Sequence, residues 1–169
     1  VSLNMTAIIK PFEEVYIERI AQLTNKTNQF NVTTKRYTTA EIRTAAENPN
    51  CVTLYGKLID KHGDNGLVAV SMGHIDGTTC HIDLWLMSCR VLKRDLEQAM
   101  LDQFVLICRD KGVTQIIGRY FKTAKNDMVA DLYGNMGFAL LEQTLIESSW
   151  QLDVDRYEVQ NKNIRISND

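Results

Sequence analysis

The sequence predicts a mixed α/β domain, a β-sheet flanked by helices, with elements in the order β-α-α-β-β-β-α-β-α-β-β. Three observations carry this prediction. His81-Ile-Asp-Leu-Trp-Leu-Met87 alternates with period two, Ile82, Leu84 and Leu86 facing one way and His81, Asp83, Trp85 and Met87 the other, which marks a strand. Directly after it, Leu96, Ala99, Met100, Phe104 and Ile107 recur at helical spacing. Finally, three strand-like segments follow one another over 51–87, separated only by His62-Gly-Asp-Asn-Gly66 and Asp76-Gly-Thr78, connections that suit hairpins.

Met5 to Lys10 reads as the first strand, closed by Pro11. Val15, Ile17, Ile20, Ala21 and Leu23 give 13–23 an amphipathic helix with acids near its start. Residues 25–34 are dense in Asn and Thr and read as a loop, and the amides of its 25–30 part can either meet a substrate or satisfy one another. A short helix over 39–47 starts at a capping Thr39 and stops at Asn48-Pro49. Strands are predicted over 51–60, 67–75 and 79–87, making an antiparallel meander. The helix over 95–111 ends at Gly112, and the strand 114–120 pairs in parallel across it. A last helix over 125–136 stops at Gly137, and strands over 138–147 and 150–157 close the sheet. Residues 161–169 are a polar tail expected to fray.

With 169 residues, 44% of them hydrophobic and 24% charged, the chain reads as one globular domain over 1–160. A net charge of -2 and no basic run longer than Lys93-Arg94 argue against a nucleic-acid partner. No apolar stretch reaches the ~20 residues that span a bilayer. Cys51, Cys80, Cys89 and Cys108 are scattered without metal-ligand spacing, so no metal is expected and a reducing cytoplasm is. The Val1 start, with no basic or apolar leader, reads as a domain excised from a longer chain.

The strand-to-helix junction after Met87 gives unpaired amides and a helix dipole of the kind that suits an anion. Arg90 and the amides of Val91, Leu92, Lys93, Arg94 and Asp95 are the candidate phosphate-binding group; equally, Asp95 can cap the helix's own first turn. Asn126 can cap the helix that comes after it. His81 and Asp83 on one strand face form a workable base or an ordinary solvated face. His74 and Asp76 on the preceding strand have the same two readings.

Asn126-Asp-Met-Val129-Ala-Asp-Leu132-Tyr133-Gly-Asn-Met-Gly137-Phe138 resembles the late helix of the GNAT acyltransferases, and the element order is similar to the GNAT-like acyl-CoA N-acyltransferase fold. The resemblance implies an acyl-CoA ligand, Asn126 contacting its pantetheine arm, Tyr133 protonating the leaving thiolate and a base on the strand bearing His81 and Asp83. The family's phosphate turn has small residues where Lys93 and Asp95 stand here, although its Arg is kept as Arg90. Leu23-Thr-Asn-Lys-Thr-Asn-Gln-Phe-Asn-Val-Thr-Thr34, with Arg36-Tyr-Thr and Ser88-Cys-Arg-Val-Leu, is similar to the C-terminal region of FkbH-like proteins. That likeness implies an N-terminal HAD-type domain in the parent chain, an acyl carrier protein as partner and carrier-bound phosphopantetheine as the alternative ligand. A carrier-tethered arm has one phosphodiester, which suits the altered turn, and Lys93 and Arg94 suit an acidic carrier. The resemblance thus leaves a catalytic acyltransferase, a non-catalytic module receiving the arm, and a purely structural domain as the three readings.

Overall fold

The computed structural model describes residues 5–88, 95–162 and 164–167. Their elements reflect the local chemistry closely. β1 (Thr6–Lys10) is a β-branched and aliphatic run; after a 3₁₀ turn at Glu14–Tyr16, α1 (Ile17–Lys26) buries Ile17, Ile20, Ala21 and Leu23 on one stripe. α2 (Thr39–Glu47) is capped by Thr38 rather than Thr39: the Thr38 hydroxyl accepts from the Glu41 amide at 3.1 Å, and the Glu41 carboxylate accepts from the Thr38 amide at 2.9 Å. That reciprocal box satisfies two donors that the helix itself cannot.

β2 (Cys51–Asp60), β3 (Gly63–Asp76) and β4 (Thr79–Met87) form the expected antiparallel meander. β3 starts four residues earlier than the apolar pattern suggests, because Gly63 at φ 122° turns tightly out of β2. α3 (Leu96–Asp110) then leads to β5 (Gln115–Phe121), which pairs in parallel with β4.

Two segments depart from the sequence reading. Over 125–136 there is no continuous helix, only a 3₁₀ turn at Asp127–Val129 and the short α4 (Leu132–Asn135). Asp127, Asp131, Gly134 and Asn135 are weak helix formers, and Gly134 lies against the Trp150 ring, where a Cβ would come within 3.0 Å. β6 (Ala139–Gln143) is shorter than expected because Thr144 accepts from the Ile146 and Glu147 amides to make the turn. β7 (Glu147–Asp153) starts three residues earlier than expected and gives way to a 3₁₀ turn at Val154–Arg156, whose Asp155 amide donates to the Asp153 carboxylate.

The second departure is the tail. β8 (Arg165–Ser167) pairs in parallel with β1. Its approach is fixed by a buried carboxylate: Asp102 accepts from the Tyr157 hydroxyl at 2.5 Å and from the Gln160 and Asn161 amides at 2.9 Å each. A desolvated carboxylate with three donors is a strong anchor.

The result is an eight-stranded mixed sheet in the order β6-β7-β5-β4-β3-β2-β1-β8. One core cluster joins α1 and α2 to Val70, Met72, Leu84 and Leu86, and the other joins α3 and α4 to the opposite face. No helix among the described residues is long and apolar enough to cross a membrane.

Candidate functional site

The site begins with one extra residue in β4. Gly73 pairs with Ile82 and Met72 with Leu84, so Asp83 has no partner across the ladder. Such a bulge bends its strand and reverses the facing of the residues beyond it. The alternation expected through 81–87 therefore breaks at Asp83. Ile82 packs with Trp85 and Met87 on the α3 side, while Leu84 and Leu86 face α1 and α2. Trp85 and Met87 are buried, not on a polar face, and Trp85 meets Phe104 at 5.9 Å between ring centroids.

Just beyond the bulge the sheet parts. β4 and β5 pair only from Thr79↔Gln115 to His81↔Ile117. Backbone groups along the two separating edges need partners, and the chain supplies them itself. The Met87 amide donates to the Phe30 carbonyl at 3.0 Å, and the Val32 amide to the Trp85 carbonyl at 3.2 Å. On the other side the Phe121 amide donates to the Val32 carbonyl at 2.8 Å. The Thr33 hydroxyl donates to the Asp83 carbonyl at 2.8 Å, and Asn31 bridges to Leu86. Residues 30–33, expected to be part of a loop, are thus a strap between two strands, all four of them buried. Thr34, just after it, sits at φ 55°, with its amide donating to the Asn31 side chain.

On the α1–α2 side of the parting lies a polar pocket of about 260 Å³. Thr33, Lys35, His74, His81, Asp83, Ile117, Arg119 and Phe121 line it. His74 Nδ1 is 2.8 Å from Asp83 Oδ2, and Lys35 Nζ is 3.7 Å from Asp83 Oδ1. His81, opposite His74 in the ladder, stacks on it at 5.1 Å. Burial holds the His81 imidazole below its ordinary pKa, and the neighbouring His74 and Arg119 push the same way. Burial, helped by the Asp83 charge, pushes the nearby Tyr37 phenol up to about 12 and the Cys51 thiol up as well. Cys51 is therefore kept as the thiol, which is a poor nucleophile. An imidazole whose Nδ1 is held by a carboxylate is oriented as a proton acceptor through its other nitrogen.

The remaining residues singled out in the sequence fall elsewhere. Asn126 is fully buried and makes no capping bond. Its Oδ1 accepts from the Thr123 amide at 2.8 Å and the Tyr120 hydroxyl at 3.2 Å; its Nδ2 donates to the Phe121 carbonyl at 2.8 Å and the Asn31 carbonyl at 3.0 Å. Tyr133 is also fully buried, donating to the Arg119 carbonyl at 3.1 Å, and burial pushes its phenol far above the usual range. Asp95 precedes α3 at φ 63° and does not cap it with its side chain. Arg90, Val91, Leu92, Lys93 and Arg94 lie outside the described residues. A second cavity of about 700 Å³ is lined by Arg19, Lys26, Gln29, Ser88 and Lys125, among others.

His81 and Asp83 thus come together with His74, while Tyr133 and Asn126 sit on the other face of β5, joined to the pocket through Arg119, Phe121 and the strap. Lys35 and Arg119 carried no local signal. His74 did: with Gly77-Thr78 as the turn, counting outward sets His74 against His81.

The residues that the resemblance assigns to a pantetheine arm do not fit one as they stand. Both donors and the acceptor of the Asn126 amide are used within the chain, and the strap fills the gap that Asn126 borders.

No family model matches the sequence, and no curated protein matches it. Solved structures do match in fold. The ribosomal-protein-S18-alanine N-acetyltransferase from Escherichia coli has a TM-score of 0.65 at 11% identity, covering 88% of this chain and 94% of its own. An acetyltransferase of the GNAT family from Streptococcus pneumoniae gives 0.65 at 13% identity over 87% and 98%. An N-acetyltransferase from Thermoplasma acidophilum, solved in complex with coenzyme A, gives 0.63 at 11% over 88% and 99%. The fold is that of GNAT acetyltransferases.

Proposed function

We propose that this chain is an acyl-transfer domain whose acceptor enters the pocket at the parting of β4 and β5. The bulge carries the reading: it sets the Asp83 carboxylate against His74 at the place where two neighbouring strands separate. His74, positioned by Asp83, removes the proton from an amine or hydroxyl as that group attacks the thioester carbonyl carbon. The C–S bond then breaks and the proton passes from His74, through solvent, to the departing thiolate, which leaves as the thiol. Lys35 and Arg119 favour an acceptor that also bears an anion. Arg119 has no carboxylate within ion-pair distance among the described residues, and a guanidinium suits a carboxylate or phosphate through paired donors.

The resemblance supplies the donor as a pantetheine thioester, either acyl-CoA or carrier-bound phosphopantetheine, with a carrier protein and a HAD-type domain as partners. The shared fold supports the first, since one fold relative is solved with coenzyme A. A second reading has its own observation: with the strap in the gap and Asn126 satisfied, the domain binds an anionic small molecule and does no acyl chemistry.

Thiol release from acetyl-CoA, and from an acetylated carrier protein, separates the two. Each donor is offered with amines and alcohols that bear a carboxylate or a phosphate. Under the transfer reading one acceptor class releases thiol, and His74→Asn slows release by about 10²-fold. Acceptor binding with no thiol release from either donor leaves the binding reading.

A further inference from the structure

We infer that Phe30–Thr33 is a self-inhibitory strap, and that an acyl-pantetheine enters the gap between β4 and β5 only when this segment leaves it. The inference rests on the transfer reading and adds its regulation. Three observations carry it. The strap is held from both sides, by Trp85, Met87 and Asp83 on one and by Phe121 on the other, so the gap has no room for a second chain. The bonds it makes are those of an extended chain with amides, which is also the chemistry of a pantetheine arm. And the side chain that the resemblance assigns to that arm, Asn126, donates instead to the carbonyl of Asn31.

The strap is built to be separable. It joins α1 to α2 and belongs to neither; Thr34 beyond it holds a positive φ that a threonine adopts only under constraint. Its own fold depends on short bonds from the Asn31 side chain, donating to the Thr27 carbonyl at 3.2 Å and accepting from the Thr34 amide at 2.9 Å. Opposing release is the burial of Phe30 and Val32 in the larger core cluster. Local opening of this kind lowers the apparent affinity of any ligand that needs the open state by the fraction open.

The test uses the whole chain, with acetyl-CoA as probe and amide hydrogen exchange at Val32 and Phe121 as readout. In the free protein these two amides exchange by a local opening, faster than core amides of β3. Saturating acetyl-CoA then speeds their exchange, the reverse of the usual protection on binding. Val32→Ala, and Asn31→Ala should that variant fold poorly, tighten acetyl-CoA binding by about tenfold through a larger open fraction. Exchange of Val32 and Phe121 only with global unfolding overturns the inference. Acetyl-CoA binding with both amides still protected also overturns it, but leaves the transfer reading standing with the thioester bound elsewhere. Absence of acetyl-CoA binding by the native chain and both variants overturns the inference and removes acyl-CoA as the donor, while the transfer reading then stands or falls with thiol release from the acetylated carrier protein.

Discussion

His74 and His81 lie opposite each other on β3 and β4 with their rings stacked at 5.1 Å, yet only His74 reaches the Asp83 carboxylate. The bulge produces this asymmetry, placing Asp83 one step out of register and diagonally toward His74. Two imidazoles with a common face therefore have different surroundings, one oriented by an anion and the other with its pKa held down by burial and a neighbouring cation.

That difference is measurable by titration. His81 is expected to titrate below the usual value of about 6.5, since burial and then the charges of His74 and Arg119 disfavour its protonation. The unfolded chain takes up the His81 proton first. By linkage, this group costs no stability above its unfolded pKa and destabilises increasingly as pH falls toward the folded value. Arg119→Gln should raise the His81 midpoint in a proton NMR titration; an unchanged midpoint would remove Arg119 from the pocket's electrostatics.

Asp83→Asn keeps the size of the side chain and removes the anion that orients His74. If His74 is the base, thiol release falls by about tenfold or more while acceptor KM changes little, because the loss is in proton transfer rather than in binding. An equal rise in KM with kcat unchanged would make Asp83 a binding group instead.

Gly118 has no room for a methyl group. A Cβ there would lie 2.4 Å from the ring of the fully buried Tyr133, which cannot move aside without giving up its bond to the Arg119 carbonyl. Gly118→Ala is expected to cost about 1–3 kcal/mol of overpacking. Tyr133→Phe, leaving one carbonyl without its donor, should cost about 1 kcal/mol. Urea unfolding of the two variants checks the ranking.

Asp102→Ala deprives Tyr157, Gln160 and Asn161 of their common acceptor. The tail should detach while the rest of the sheet stays folded, seen as rapid proteolysis after Val154 with little change in far-ultraviolet circular dichroism. A protease-resistant variant would show that β8 holds to β1 unaided.

The alternation and helical periods recovered most elements because each is a local property of its own segment. The capping box was written in Thr38-x-x-Glu41, and the His74–His81 pairing could be reached by counting through Gly77-Thr78. The bulge at Asp83 was hidden because a perfectly alternating strand gives no sign of an added residue; only the pairing with Met72 and Gly73 reveals it. The strap was hidden for a different reason. Asn and Thr on either side of Phe30 and Val32 describe a loop correctly, but which strands receive those apolar residues depends on positions far along the chain. Asp102, an acid amid apolar helix residues, reads as an error in the pattern until the tail that it anchors is seen.

That distance along the chain has a consequence for synthesis. Asn31 meets Asn126 across 95 residues, whereas β2, β3 and β4 are joined by tight turns. As the chain leaves the ribosome, the meander can pair long before residue 121 or 126 exists. The strap can meet Trp85 and Met87 as soon as β4 exists, but its other side waits for Phe121 and Asn126, so completion of the seam is among the last events of folding. A nascent chain halted between β4 and β5 has the strap on its Trp85–Met87 edge but presents the strap's far side, the Val32 carbonyl, without Phe121, which makes that interval the one in which misjoining, or early capture of a ligand, has its opening.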